Sequence, residues 1–174
     1  APVLAAGPPA VTAKSALVMD AETGRTLYAK APDRLHPPAS TVKVMTGLLA
    51  LEKVSPRKEV SVSAAASREP ASRLGLHLGD RMAVQDLLYG LLLKSANDAS
   101  VALAEAAAGD VDRFVKLMNE KARALGARKT VFKNPSGLPA RGQVTTASDL
   151  ARIFRAALRN EAFVKIAGTK HKLV

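Results

Sequence analysis

The 174-residue chain contains no cysteine and no tryptophan, and aromatic residues make up only 3% of it. Without cysteine, disulfides, thiolate nucleophiles and cysteine-ligated zinc are excluded within this sequence. So few aromatics argue against a stacking platform for single-stranded nucleic acid. No uninterrupted apolar run is long enough to span a bilayer. Histidine is scarce as well. His36, His77 and His171 are isolated, with no H-x-x-x-H or H-E-x-x-H spacing, so no metal site is expected. A Ser–His–Asp triad through His36 or His77 stays open on spacing, but no G-x-S-x-G elbow supports it. A Gly-rich phosphate loop is missing, and Glu69, Asp80 and Asp98 form no paired-carboxylate motif. No organic cofactor is implied.

Acidic residues are the minority charge. Lys and Arg number 26 against 15 Asp and Glu, a net charge of +11. That excess favours polyanions. The basic residues are spread along the chain rather than gathered in one run, the nearest clusters being 123–133 and 165–172. An anionic cell envelope fits this pattern as well as nucleic acid does. Hydrophobic residues are 48% and charged residues 24%, values that suit one globular domain with a sizeable core. Residues 1–13 are small and Pro-rich without a basic stretch, and are expected to form a flexible leader.

The remaining chain, 14–174, reads as a hairpin followed by a mostly helical part spanning 40–160. Residues 14–20 and 25–30 are β-rich runs around Ala21-Glu22-Thr23-Gly24. A Pro-rich loop, 31–39, leads to a helix over 40–54. The alternation at 59–63 predicts a short strand, and 74–78 and 82–84 are further extended candidates. Helical patterns cover 85–94, 97–108, 111–125 and 147–159, with one or two more turns at 161–167. Asp110 is placed to cap the third of these and Gly126 to end it. Thr146 with Asp149 predicts a capping box.

Two constellations carry chemistry. Ser40-Thr41-Val42-Lys43 opens the first helix, so the lysine amine lies one turn from the serine hydroxyl. A serine hydroxyl needs a nearby base to act as a nucleophile. A lysine can be that base if burial lowers its pKa. The helix start also offers N–H groups to a developing negative charge. The plain alternative is an N-capping serine and a solvated lysine. The second constellation, Lys94-Ser95-Ala96-Asn97-Asp98, ends the next long apolar helix. Its plain alternative is a helix-terminal turn at Ser95 and an N-cap at Asn97.

S-x-x-K followed by S-x-N is two-thirds of the motif set of penicillin-binding proteins and class A β-lactamases. With the hairpin 15–28, Pro38-Ala39-Ser40 through Thr46, Ser95 to Ala99 and Asn134-Pro135-Ser136-Gly137-Leu138, the chain resembles a serine D-alanyl-D-alanine carboxypeptidase of the low-molecular-mass penicillin-binding type. The residue before the lysine is Val42 where that family usually has threonine. The third motif, Lys-Thr-Gly on a sheet strand, is missing, and Gly168-Thr169-Lys170 is its reverse, read as a strand-entry turn.

The resemblance implies an α/β (α+β) fold, an antiparallel sheet packed against a mainly helical subdomain, with the later sheet strands lying outside this chain. It implies Ser40 as nucleophile, Lys43 as its base, Ser95 as a proton relay and Asn97 as the substrate-amide holder. The Ser40 N–H would supply half of an oxyanion hole. The implied substrate is a peptidoglycan stem peptide ending in D-Ala-D-Ala, with β-lactams acylating the same serine. The implied location is outside the cytoplasmic membrane, and the implied partner is the remaining C-terminal part of the same enzyme, without which the piece is expected to be inactive. A DD-endopeptidase, a β-lactamase, for whose deacylating glutamate no residue stands out, and a non-catalytic basic wall-binding module are the alternatives.

Overall fold

The computed structural model describes residues 10–173. Residues 1–9 of the expected leader lie outside the described residues; within the remainder, the Val11 carbonyl accepts from Lys30 Nζ at 2.6 Å.

The helix α1 (Val42–Lys53) runs through the middle of the molecule. Its residues are apolar almost all round, as a fully surrounded helix requires. Around it stand α3 (Val84–Leu93), α4 (Asn97–Ala108), α5 (Val111–Ala124), α6 (Ala147–Ala157) and α7 (Glu161–Ala167). Met45 and Leu49 of α1 pack with Phe114, Met118, Phe132 and Ile153. Leu87, Leu88, Leu91 and Leu103 build the core between α3 and α4. Leu48 meets Ala157 and Phe163 on a third side. Each buried side chain of this size contributes about 1.5–3 kcal/mol, so α1 cannot shift without disturbing three clusters.

Several helix ends follow the sequence signals. Asp110 caps α5 by accepting from Arg113 N at 2.7 Å, and Gly126 turns the chain away at φ +78°. Thr146 caps α6 through Asp149 N at 3.1 Å, but the reciprocal half of the predicted capping box does not form. The buried Asp149 carboxylate instead accepts from Lys129 N, Thr130 Oγ1 and Arg152 Nη1. Three donors satisfy an enclosed carboxylate better than one cap contact would.

The strands β1 (Ala16–Met19) and β2 (Thr26–Lys30) form an antiparallel hairpin, with Val18 opposite Tyr28 and an irregularity between Val18 and Met19. Asp20 accepts from the Thr23 N–H and hydroxyl to close its turn, and Gly24 takes φ +78° there. The hairpin rests on α6, and Arg155 donates to the Ala21 and Glu22 carbonyls at 2.8 and 2.6 Å. A second small antiparallel pair joins β3 (Glu59–Ser61) to β4 (Arg81–Ala83), with the short helix α2 (Ala64–Ser67) between them in sequence. The α+β class therefore holds.

One expectation fails locally. Residues 74–78 form no strand, because the Leu74, Gly75 and Leu76 N–H groups donate to the Asp98 carboxylate rather than to a neighbouring chain. Gly168-Thr169-Lys170 follows directly on the last helix. Gly168 is the C-cap of α7, and Gly168 N donates to the Val164 carbonyl at 2.9 Å.

Candidate active site

Ser40 lies in a tight 3-10 turn, Ala39–Thr41, that runs directly into α1. The turn is shaped by the Thr41 hydroxyl donating to the Pro38 carbonyl. Ala39 holds a positive φ of 48°, which a non-glycine residue rarely adopts. Ser40 itself is exposed, while Lys43 one turn on is 3% exposed. Thr41, not Ser40, occupies the N-cap position of α1, and its side chain caps nothing. The capping-serine and solvated-lysine alternative is therefore not what forms.

The Lys43 amine has three neighbours. It lies 3.3 Å from Ser40 Oγ, 2.8 Å from Asn97 Oδ1 and 2.6 Å from the Ser136 carbonyl. An ammonium has three N–H donors, and each has an acceptor. Burial pulls the amine down to about 8, with the nearby Glu69 carboxylate opposing that fall.

Asn97 is the first residue of α4 rather than its N-cap, which is Ala96 and makes no side-chain cap bond. The Asn97 amide is instead clamped. Its Nδ2 donates to the Pro70 and Ala71 carbonyls at 3.0 and 3.2 Å, while its Oδ1 faces Lys43. Ser95 sits two residues earlier at φ +59°, in the turn that joins α3 to α4. That turn is tied down by Ala96 N on the Gly90 carbonyl and by the Ser72 hydroxyl on the Lys94 carbonyl. The fold thus unites Ser40, Lys43 and Asn97 in one hydrogen-bonded set. Ser95 is not a member of it.

The segment 134–138 completes the set. Thr46 Oγ1 donates to the Pro135 carbonyl at 2.7 Å, one carbonyl before the one that holds Lys43. Asn134 Oδ1 accepts from Gly137 N at 2.7 Å and fixes the turn. Gly137 has φ +87°, and a Cβ there would lie 1.9 Å from the Ala39 carbonyl oxygen. The turn and the Ser40 segment are thus in direct backbone contact. The Asn-Pro and Ser-Gly pairs announce a turn in the sequence; that its carbonyl holds Lys43 does not show there. The histidines stand apart. His36 Nε2 pairs with Ser15 Oγ at 2.7 Å, and His77 with the exposed Asp80.

The family profile for D-alanyl-D-alanine carboxypeptidases matches residues 3–174. The chain belongs to that family. It is 40% identical over 162 residues to the D-alanyl-D-alanine carboxypeptidase DacF of Bacillus subtilis, covering 90% of this chain and 42% of that protein. It is 36% identical to a D-alanyl-D-alanine endopeptidase of Pseudomonas aeruginosa, covering 92% of this chain and 52% of that one. The crystal structure of penicillin binding protein 6B from Escherichia coli superposes with a TM-score of 0.89 at 35% identity, over 96% of this chain and 56% of that one. The chain spans about half the length of these relatives. Family membership agrees with the resemblance carried by the sequence motifs.

Proposed function

We propose that the protein is a serine DD-carboxypeptidase in which Ser40 attacks the carbonyl of the penultimate D-Ala of a peptidoglycan stem peptide. The observation that carries this is the geometry at Lys43. Two of its three neighbours, the Asn97 amide oxygen and the Ser136 carbonyl, can only accept hydrogen bonds. When the ammonium loses one proton, the two that remain stay on those acceptors. The lone pair then has one place to point, toward Ser40 Oγ, the only neighbour with a proton to give. A neutral amine so oriented takes the hydroxyl proton as Ser40 bonds to the carbonyl carbon. An amine drawn down to about 8 spends a useful fraction of its time neutral at physiological pH.

The later steps follow from the same residues. The Ser40 N–H donates to the developing oxyanion. Ser95, in its strained turn, relays the proton that Lys43 took from Ser40 to the departing D-Ala nitrogen, receiving one proton as it gives up another. Asn97 orients the substrate through the set it shares with Lys43. Its amide is engaged on both ends, so its first task is to hold Lys43; Oδ1 keeps a second lone pair for a substrate N–H, whereas donation from Nδ2 to substrate requires release of one carbonyl. Water then hydrolyses the acyl-enzyme. β-Lactams, which are strained amides, acylate the same serine and leave slowly.

The protein works at the cell wall, in the periplasm or on the outer face of the cytoplasmic membrane. The family's remaining C-terminal part brings the Lys-Thr-Gly strand and the second oxyanion donor. A groove of about 650 Å³ between β1 and α6, lined by Leu17, Val18, Val44, Leu150 and Phe154, supports that reading, as does the exposure of Leu27 on the hairpin. The endopeptidase relative makes cleavage of cross-links the second reading. Incubation of the full-length protein with a pentapeptide stem and with a cross-linked dimer tests the choice. Release of free D-Ala supports the carboxypeptidase; dimer cleavage without D-Ala release supports the endopeptidase.

A further inference from the structure

The loop that clamps Asn97 has an anchor of its own, to which the scheme above gives no part. The segment 70–76 belongs to no strand, and Ala71, Ser72, Arg73 and Gly75 are exposed. Yet its backbone is bonded at both ends to two consecutive residues of α4. The entry end meets Asn97. The Pro70 and Ala71 carbonyls accept from its Nδ2 at 3.0 and 3.2 Å, and the Ser72 carbonyl accepts from its backbone N–H at 2.7 Å. The exit end meets Asp98. Its Oδ1 accepts from Leu74 N at 3.0 Å, and its Oδ2 from Gly75 N and Leu76 N at 2.9 and 3.1 Å.

The helix dipole does not account for this use of Asp98. An acid in the first turn of a helix is favoured there and can act while facing water. Asp98 is 1% exposed. Its one local contact is with Ala99 N at 2.8 Å. The other three reach a segment 22 to 24 residues upstream. Burying an ionised carboxylate is costly unless donors surround it, and N–H groups on a carboxylate are hydrogen bonds of the stronger kind. The loop has one close apolar fit beside them. Leu74 fills the space over Gly90, where a Cβ would lie 2.5 Å from its Cδ1.

We propose that Asp98 is a positioning residue for acylation: it holds the 70–76 loop as the outer jaw of the Asn97 clamp and, through Asn97, keeps Lys43 aimed at Ser40. The proposal rests on the reading of Lys43 as the base for Ser40. The chain of contacts is continuous. Asn97 Oδ1 accepts from Lys43 at 2.8 Å while the Nδ2 end stays on the loop carbonyls. A turned amide would oppose the ammonium, donor against donor. Once the amine is neutral, the turned amide would donate to its lone pair, the one that has to face Ser40 Oγ 3.3 Å away. Release of the loop from Asp98 removes what prevents that turn.

Asp98→Asn keeps the shape but sets an NH2 group, which only donates, against two backbone N–H groups. In the full-length protein, the amides of 74–76 should exchange with deuterium about tenfold faster or more. The Asn97 side-chain NH2, followed by NMR, should lose its protection with them. The rate constant for benzylpenicillin acylation should fall about 10–100-fold, while the dissociation constant of the non-covalent complex stays within about threefold of wild type. Asp98→Glu, which keeps both acceptor oxygens, should recover part of the rate. A loosened loop with wild-type acylation overturns the proposal, as does a loop that stays protected, or a loss that lies in penicillin binding. Should Asp98→Asn not fold, Ser72→Ala takes its place. It removes only the bond from an exposed hydroxyl to the Lys94 carbonyl at 2.9 Å, and should give the same pattern at smaller size. A looser Asn97 amide with an unchanged acylation rate there overturns the proposal. A wild-type protein that forms no acyl-enzyme, while Asp98→Asn still frees the loop and the Asn97 amide, counts instead against Ser40 and Lys43 as the acylating pair.

Discussion

The helical body and the β1–β2 hairpin obey different rules. In the body, α1 is enclosed by three apolar clusters, and polar atoms admitted there find partners: Lys43, Thr46, Asn97 and Asp98 are each buried and hydrogen-bonded. The hairpin exposes Val18 by 51% and Leu27 by 55% and is tied to the body mainly through Arg155 and α6. An antiparallel pair with apolar side chains in water is marginal by itself. The contrast indicates where the chemistry is mounted. The proposed nucleophile Ser40, its proposed base Lys43 and the clamp on that base belong to the enclosed helical part, and the hairpin is the edge that the proposed further strands would extend.

That comparison can be broken most severely at Lys43. Lys43→Arg keeps the positive charge but cannot supply a neutral base near physiological pH. Penicillin acylation should fall by about 10²–10⁴-fold, while the circular dichroism spectrum stays that of wild type. Near-normal acylation by the folded variant would remove Lys43 from the mechanism. Stability carries a related signature. The pKa of Lys43 is lowered on folding from its ordinary 10.5 to about 8. The unfolded chain therefore binds more protons between those values, and stability contributed by this site rises with pH across that window. Urea midpoints measured from pH 8 to 10.5 should show the rise in wild type relative to Lys43→Met.

Gly137→Ala is the next largest test. Its new Cβ would meet the Ala39 carbonyl oxygen at 1.9 Å, at a backbone angle unsuited to alanine. Either the 134–138 turn or the Ser40 segment must move. Displacement of a reacting group by about 1 Å can cost around 10²-fold in rate, so acylation should drop by that order, with destabilisation of about 1–3 kcal/mol. Denaturant curves and acylation rates measured together check both. The smallest effect belongs to the hairpin. Leu27→Lys on this exposed strand should change the stability of the 174-residue chain by less than about 0.5 kcal/mol. A large loss there would mean that the hairpin is integral to the body and would erase the distinction.

The legibility of the molecule divides along similar lines. The helices α3 to α6 are readable because their apolar spacing and caps, such as Asp110 and Thr146, are local signals. The Ser40–Lys43 pair is readable because one helical turn fixes its geometry. What the sequence hides depends on contacts far along the chain. The Ser136 carbonyl is a backbone atom and leaves no mark of its role. Asp98 reads as one acidic residue among several, yet its carboxylate gathers N–H groups from 74–76 and turns an apparent strand into a loop. Asn97 reads as a substrate-amide holder with an N-cap as the plain alternative; the structure makes it no cap and gives its amide oxygen to the buried Lys43, a contact the sequence does not announce.

The central claim is that Ser40, activated by the buried Lys43, is the nucleophile. Intact-mass and peptide-mapping mass spectrometry of the full-length protein after brief exposure to benzylpenicillin tests it most directly. The account predicts one adduct per chain, mapped to the peptide containing Ser40 and lost in Ser40→Ala. An adduct on any other serine, or a Ser40→Ala protein that still becomes acylated, would contradict it.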